Sequence, residues 1–460
     1  MIHNLKPYPA YKDSGVPWLG EVPEHWKLKR TKTVLRERSQ KGFPDEPLLA
    51  ATQTKGVVRK ELYENRTVLA LKDLHLLKLV RVNDFVISLR SFQGGIEFAH
   101  EQGIISPAYT ILYPVEAQNH GFLAWLFKSK PYIENLSLFV TGIREGQNID
   151  YVKLSRSELP LPPFSEQSSI VRYLDHIDRR IRRYIHAKQK FIKLLEEQKQ
   201  AIIHQSVTHG LDPNVKLKPS GLEWLGDVPE HWEVKPAKWY YHEIDERSST
   251  GSEELLSVSH ITGVTPRSEK NITMFMAESY VGYKLCREND LVINTMWAWM
   301  AALGVAQQTG IVSYSYGVYR PIHKEAFLSQ YIDLLLRTKP YVAEYICRST
   351  GIHSSRLRLY PEQFLRIPII RPPIVEQQAI LDEIHNKTSE LEHAINTSNQ
   401  EISLLREYRT RLIADVVTGK LDVREAVTNL KDGVEEPEIE EYAEESITEE
   451  LEEVIIECND

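Results

Sequence analysis

The spacing of apolar residues along this chain changes character twice, at corresponding places in its two halves. Up to a Pro-Pro-x-x-Glu-Gln motif at residues 162–167, and again up to one at residues 372–377, apolar residues fall in short alternating runs. Residues 85–89 and 311–319 are examples, and Gly, Pro and Asn break the runs. This predicts a mixed domain dominated by short strands in each half. After each motif the period lengthens. Ile170, Leu174, Ile177, Ile181, Tyr184, Lys188, Phe191, Leu195, Gln198 and Ile202 follow a 4-3-4-3 spacing without Pro or Gly. So do Ile380, Ile384, Lys387, Leu391, Ala394, Ser398, Glu401, Leu405, Tyr408 and Leu412. Each predicts a helix of about 40 residues, or ~60 Å. A seam with a period near 3.5 calls for a partner helix. A surface helix on its own domain is the simpler alternative, but the polar interruptions at matching levels favour a coiled coil between the two copies. An antiparallel pair would set the strand-rich domains at opposite ends of a rod, related by a pseudo-twofold.

The halves are copies of one another. Residues 12–26 read KDSGVPWLGEVPEHW and residues 218–232 read KPSGLEWLGDVPEHW, with 11 of 15 positions identical at an offset of 206. The echo continues in order: residues 83–87 (NDFVI) recur at 289–293 (NDLVI), Lys130-Pro131-Tyr132 at Lys339-Pro340-Tyr341, and Thr141-Gly142-Ile143 at Thr350-Gly351-Ile352. A repeat of this length sets the architecture before any local detail does. The boundaries that follow are 1–160 for the first domain, 161–210 for the central helix, 211–370 for the second domain, 371–425 for the C-terminal helix and 426–460 for an acidic tail.

Charge changes this picture in one respect. The net charge of −8 is set by residues 432–460, which hold 14 acidic residues and no Lys or Arg, so the remainder carries +6. A mildly basic body permits a polyanionic partner. Within the tail, Ile447, Leu451, Val454 and Ile455 have helical spacing, consistent with a short docking helix or with a disordered solubilising tail. Cys286, Cys347 and Cys458 form no CxxC pair, which fits a reducing compartment. The first nine residues lack the apolar core of a signal peptide. The apolar run at residues 291–306 is too short to span a bilayer. A cytoplasmic protein is expected.

Catalytic equipment is not visible. Leu161-Pro162-Pro163-Phe164 lacks the Asn or Asp that would open an adenine-methyltransferase motif, and there is no Walker A, glycine-rich cofactor loop or HExxH. Trp18 and Trp26 read as an anchor for each domain, and His25 and His231 as packed side chains.

With its duplicated SGxxWLGxVPEHW, its duplicated Pro-Pro-x-x-Glu-Gln, and matching helix ends at Val207-Thr208 with Leu211-Asp212 and Val417-Thr418 with Leu421-Asp422, the chain resembles the specificity subunit of type I restriction-modification systems over nearly all of residues 11–425. The resemblance implies an α+β fold in which two repeated, strand-rich target-recognition domains are joined by a long antiparallel two-helix coiled coil. It implies a non-catalytic subunit that reads a bipartite, asymmetric site in double-stranded DNA. It also implies two modification subunits, which bind AdoMet and methylate adenine, and two restriction subunits, which use ATP and Mg and cut DNA; this chain itself holds no cofactor or metal. Two rivals stand beside it: a coiled-coil scaffold with no DNA role, and a self-contained DNA methyltransferase or nuclease.

Lys and Arg neutralise phosphates, while Arg, Gln and Asn can pair with base edges. On that ground the candidate contacts of the first domain are Gln53, Lys55, Arg59, Arg90, Gln93, Arg144, Gln147 and Asn148. Those of the second are His260, Arg267, Lys270, Asn294, Arg356 and Arg358. Trp297 and Trp299, where the first domain has residues 90–95, are expected in the core. Arg179, Arg180, Arg182 and Arg183 form a basic cluster on the central helix.

Overall fold

The computed structural model describes residues 5–62, 73–115, 119–141, 148–269, 279–351 and 357–430. These form two compact units, one from the described residues of Met1–Lys188 and Asn399–Glu438, the other from those of Gln189–Ser398. Both mix strands and helices, and each takes part of two long helices, Phe164–His209 and Ile374–Val417. Of the acidic tail, residues 431–460 lie outside the described residues.

In the first unit a four-stranded antiparallel sheet runs in the order Leu35–Arg38, Thr110–Pro114, Phe85–Ile87, Glu97–Phe98. Successive strand residues point to opposite faces, and here both faces are covered. Val86 and Ile111 enter a small core with Leu49, Val57, Val80 and Ile105. Phe85, Ile87 and Leu112 enter a larger one with Phe122, Phe127 and the helix residues Ile170 and Leu174. This is why the strand reads as an unbroken apolar run. Asn83 turns the chain into it at φ 70°, a conformation that Asn tolerates better than most residues. Asp84 then accepts from Arg81 N at 2.8 Å and from Arg38 Nε at 2.7 Å.

The second unit has the same pairing order: Tyr241–Ile244, Gly317–Pro321, Leu291–Ile293, Leu303–Val305. Val292 and Val318 join Leu256, Val264, Cys286 and Val312, and Leu291, Ile293 and Tyr319 join the larger core. Asn289 has φ 69°. Asp290 again accepts from the residue three before it, Arg287 N at 2.8 Å, and from a guanidinium, here Arg320 Nη2 at 2.9 Å. The arginine comes from a different strand in each unit, yet it neutralises the same buried carboxylate. Cys286 is free and buried.

The long helices pack together antiparallel within each unit. In the first, Arg409 pairs with Asp178 and Lys188 with Glu401 at 2.6 Å; in the second, Lys199 pairs with Glu392 at 2.6 Å. The apolar seam of the second helix follows the expected positions except that Thr388 and Ile402 are buried in place of Lys387 and Glu401. The first helix departs from the strict heptad. Its seam runs Ile170, Leu174, Ile177, Ile181 as expected; beyond that Ile185, Ile192 and Ile203 face inward in place of Tyr184, Phe191 and Ile202, while Leu195 keeps its expected place. An α-helix with 3.6 residues per turn drifts by ~20° per heptad from a 3.5 repeat, and one extra residue restores the facing side. Both helices end in glycines with positive φ, Gly210 at 77° and Gly419 at 81°, the left-handed cap that glycine adopts without penalty.

The buried pair at the sheet edge gives a direct test. Asp84→Ala strands the mostly buried Arg38 guanidinium and should cost about 3 kcal/mol, seen as a lower denaturant midpoint for the first unit, whereas Asp45→Ala on the surface should leave the midpoint unchanged.

Candidate nucleic-acid interface

Each strand-rich region is fastened to a long helix by the two residues that close the Pro-Pro-x-x-Glu-Gln motif. Glu166 is buried in the first turn of its helix, where the helix dipole favours a carboxylate. It accepts from Tyr8 Oη at 2.6 Å and Trp26 Nε1 at 2.8 Å, and its other oxygen meets His25 Nε2 at 2.8 Å. Burial, with the Glu166 carboxylate beside it, pushes the Tyr8 phenol well up, so it remains a donor. Gln167 donates to Pro162 O at 2.9 Å and accepts from Asn119 N at 3.0 Å. Asn119 in turn caps the helix His120–Phe127. In the second unit Glu376 holds His231 Nε2 at 2.7 Å, and Gln377 holds Pro372 O at 2.9 Å and Leu328 N at 2.8 Å. Trp18 packs edge-on to Tyr132 and Trp224 to Tyr341, joining the tryptophan motif to Lys-Pro-Tyr. The tryptophan motif is thus an anchor, as its composition suggested.

On this frame stand the turns that carry the candidate contacts. In the first unit the hairpin Leu49–Thr52 with Gly56–Arg59 exposes Gln53 and Lys55 in its turn, which Thr52 Oγ1 fixes by accepting from Lys55 N at 3.0 Å. The turn Ser91–Gly94 exposes Arg90 and Gln93. The two turns touch: a Cβ on Gly94 would lie 2.7 Å from Gln53 Cγ. Lys128, which the sequence reading passed over, ties them together by donating to Gln53 O at 3.2 Å, Gly94 O at 2.8 Å and the buried Glu97 at 2.7 Å. The structure therefore brings Gln53, Lys55, Arg90 and Gln93 to one place. Arg59 is ion-paired with Glu101. Asn148 is exposed on the short pair Val140–Thr141 with Asn148–Ile149. Arg144 and Gln147 lie outside the described residues.

In the second unit the hairpin Leu256–Ser259 with Gly263–Pro266 carries His260 in its turn. Arg337, the counterpart of Lys128, donates to His260 O and to Ile261 O, the latter at 3.0 Å. Arg267 is half-buried in the short turn Arg267–Glu269. Arg358 is half-buried on a bridge with Thr350, at the place of Asn148. Asn294 is buried, and its Oδ1 accepts from Met296 N at 3.3 Å, so its side chain builds the turn and does not face outward. Trp297 and Trp299 correct the expectation of a core pair: Ala298 fills the core position, Trp297 is exposed, and Trp299 is half-buried against it. Lys270 and Arg356 lie outside the described residues.

Of the basic cluster on the first long helix, Arg182 pairs with Asp178 at 2.7 Å and Arg179 Nε donates to Asp175 O at 3.2 Å. Among the described residues no group of three or more His, Cys, Asp or Glu could hold a metal ion, and no helix is long and apolar enough to cross a membrane.

The turn clamp has a pH signature. Burial lifts Glu97 from its usual value near 4.5 to about 7, with Lys128 opposing the shift. An acid raised in the folded state holds its proton after the unfolded chain has lost it, so stability falls as pH rises from about 4.5 to about 7. Unfolding midpoints should show this slope, and Glu97→Gln should flatten it; an unaltered slope would place its origin elsewhere. Separately, Glu166→Ala leaves two buried donors unsatisfied and should lower stability by about 2–3 kcal/mol, measured by denaturant unfolding.

No family model matches the chain. It is 25% identical over 238 residues to the type I restriction enzyme MjaX specificity subunit of Methanocaldococcus jannaschii, covering 47% of this chain and 52% of that one. It thus spans about half the length of that relative. It is 21% identical over 370 residues to the type I restriction enzyme MjaVIII specificity subunit of the same organism, covering 75% of this chain and 81% of the other. A solved chain, from work on complex assembly and conformational transition of the type I R-M system, has the same fold at TM-score 0.60 and 15% identity, over 87% of this chain and 99% of that one. Sequence likeness and fold converge on one group of relatives: the chain is similar to the specificity subunits of type I restriction enzymes.

Proposed function

We propose that this chain is the DNA-recognition subunit of a type I restriction-modification complex, and that each unit reads one half of a bipartite, asymmetric site. One observation carries the reading. The two units have the same pairing order and the same Glu-Gln fastening, while the turns standing on that frame differ: Gln53, Lys55, Arg90 and Gln93 in one, His260, Ile261, Met296 and Trp297 in the other. A common frame with unlike turns suits two readers of two unlike sequences. Likeness to curated specificity subunits supports the same conclusion.

In this reading residues 1–160 and 211–370 are target-recognition domains, and the helices at 161–210 and 371–425 form an antiparallel coiled coil related by a pseudo-twofold. Coil length then fixes how many base pairs lie unread between the half-sites. Gln53, Lys55, Arg90, Gln93, Asn148, His260, Arg267 and Arg358 are the proposed DNA contacts, with Arg144, Gln147, Lys270 and Arg356 on neighbouring segments of the chain. The subunit is non-catalytic and cytoplasmic. Two modification subunits supply AdoMet-dependent adenine methylation, and two restriction subunits supply ATP- and Mg-dependent translocation and cleavage.

Exchanging residues 27–160 for the corresponding segment of another specificity subunit should change one half of the methylated motif and leave the other intact; a change in both halves contradicts modular reading. Deleting a heptad from each helix, residues 174–180 and 384–390, should shorten the unread spacer or abolish activity. An unchanged spacer with full activity would show that the coil is not the ruler.

A further inference from the structure

The two units differ most sharply in the chemistry of their turns. At equivalent places in the turns, Thr54 and Arg90 of the first unit are replaced by Ile261 and Trp297 in the second, while Leu89 and Phe92 are matched by Met296 and Trp299. The exchange is not a deeper core: Ile261 is 75% exposed, Trp297 49% and Met296 39%. Two separate segments have thus each traded a hydrogen-bonding side chain for a large apolar one that remains in solvent. Large apolar groups held out in solvent mark binding surfaces.

Both segments are held firmly. Trp297 stacks on Trp299 with ring centres 6.4 Å apart, and Trp299 Nε1 donates to Met296 O at 2.9 Å. Thr295 Oγ1 donates to Ser315 O at 2.8 Å, and Thr295 O accepts from Leu359 N at 2.9 Å. The second of these bonds brings the strand of Arg358 alongside the apolar turn, so a cation flanks it as a phosphate-bound partner requires. Arg337 fixes the carbonyl of Ile261. The surface is apolar at its tip, cationic beside it, and preorganised.

We propose, resting on the DNA-reading function above, that the second unit reads its half-site through apolar contact of Ile261, Met296 and Trp297 with thymine C5-methyl groups, whereas the first unit reads by hydrogen bonds. In the major groove thymine alone among the four bases presents a methyl group; the others offer donors and acceptors. An apolar side chain pressed against those polar edges would leave them without partners, so these positions discriminate in favour of thymine through both attraction and exclusion.

The test removes the methyl group and nothing else. The half-site belonging to the second unit is identified as the one that survives exchange of residues 27–160. In duplexes carrying the full site, each thymine of that half-site is replaced by deoxyuridine, and binding by the full chain with its modification subunit is measured. Affinity should fall about fourfold for each contacted methyl, and Met296→Gln should weaken binding to thymine DNA while shrinking the difference between thymine and deoxyuridine. Equal affinity for the two duplexes, or a second half-site without thymine, overturns the proposal even though sequence-selective binding persists. Loss of all sequence selectivity on unmodified DNA would overturn the DNA-reading function itself, so the two failures are distinguishable.

Discussion

The structure hangs on the paired Glu and Gln in the first turn of each long helix. Glu166 and Gln167 are buried side chains with every hydrogen bond directed at a different part of the chain. The carboxylate gathers the tryptophan motif, and the amide sets the cap of the helix His120–Phe127 and the crossing from strand to helix. In the second unit Gln377 repeats these bonds, whereas the half-buried Glu376 keeps the bond to His231 but not one to Trp232 Nε1. Buried polar groups are costly when unpaired, so the pair fixes where a strand-rich region meets its helix more narrowly than apolar packing alone would. The glycine that ends each long helix completes the junction: Cβ atoms at Gly210 and Gly419 would lie 3.3 Å from Trp232 Cζ2 and 3.1 Å from Trp26 Cη2.

Given that fastening, the sheet can remain constant while the turns vary. Asn83-Asp84 and Asn289-Asp290 start equivalent strands, and each aspartate is neutralised by an arginine from whichever adjoining strand supplies one. Lys128 and Arg337 hold the backbone carbonyls of the hairpin turns and not the side chains at the turn tips. A clamp on backbone atoms tolerates changes in the side chains it presents. That is the property needed by a frame that carries different recognition chemistry in its two copies.

Much of this was legible from the sequence because duplication made short signals mutually reinforcing. Pro-Pro-x-x-Glu-Gln marked both helix starts, and the alternating runs marked the central strands. The heptad along the first helix was fully legible as far as Ile181 and beyond it only in part, at Leu195, since a 3.5 repeat and a 3.6 helix diverge with length and Ile185 took the seam from Tyr184. Asn294 looked like a base contact by residue type, but position in the turn decided its role, and its side chain caps Met296 N. Trp297 and Trp299 looked like core by size; the core position went to the smaller Ala298 between them. Lys128 and Arg337 gave a faint signal, each standing two residues before Lys-Pro-Tyr, yet a basic residue there carries no mark of the distant carbonyls that it binds.

The central claim is that this chain supplies an address for DNA modification, and it is tested most directly by mapping methylated adenine by single-molecule sequencing in cells that carry the chain with its modification subunit and in cells that lack only the chain. The account predicts a bipartite motif, two short specified blocks separated by unspecified bases, that disappears when the chain is removed. An unchanged methylation pattern, with the modification subunit still present, would contradict it.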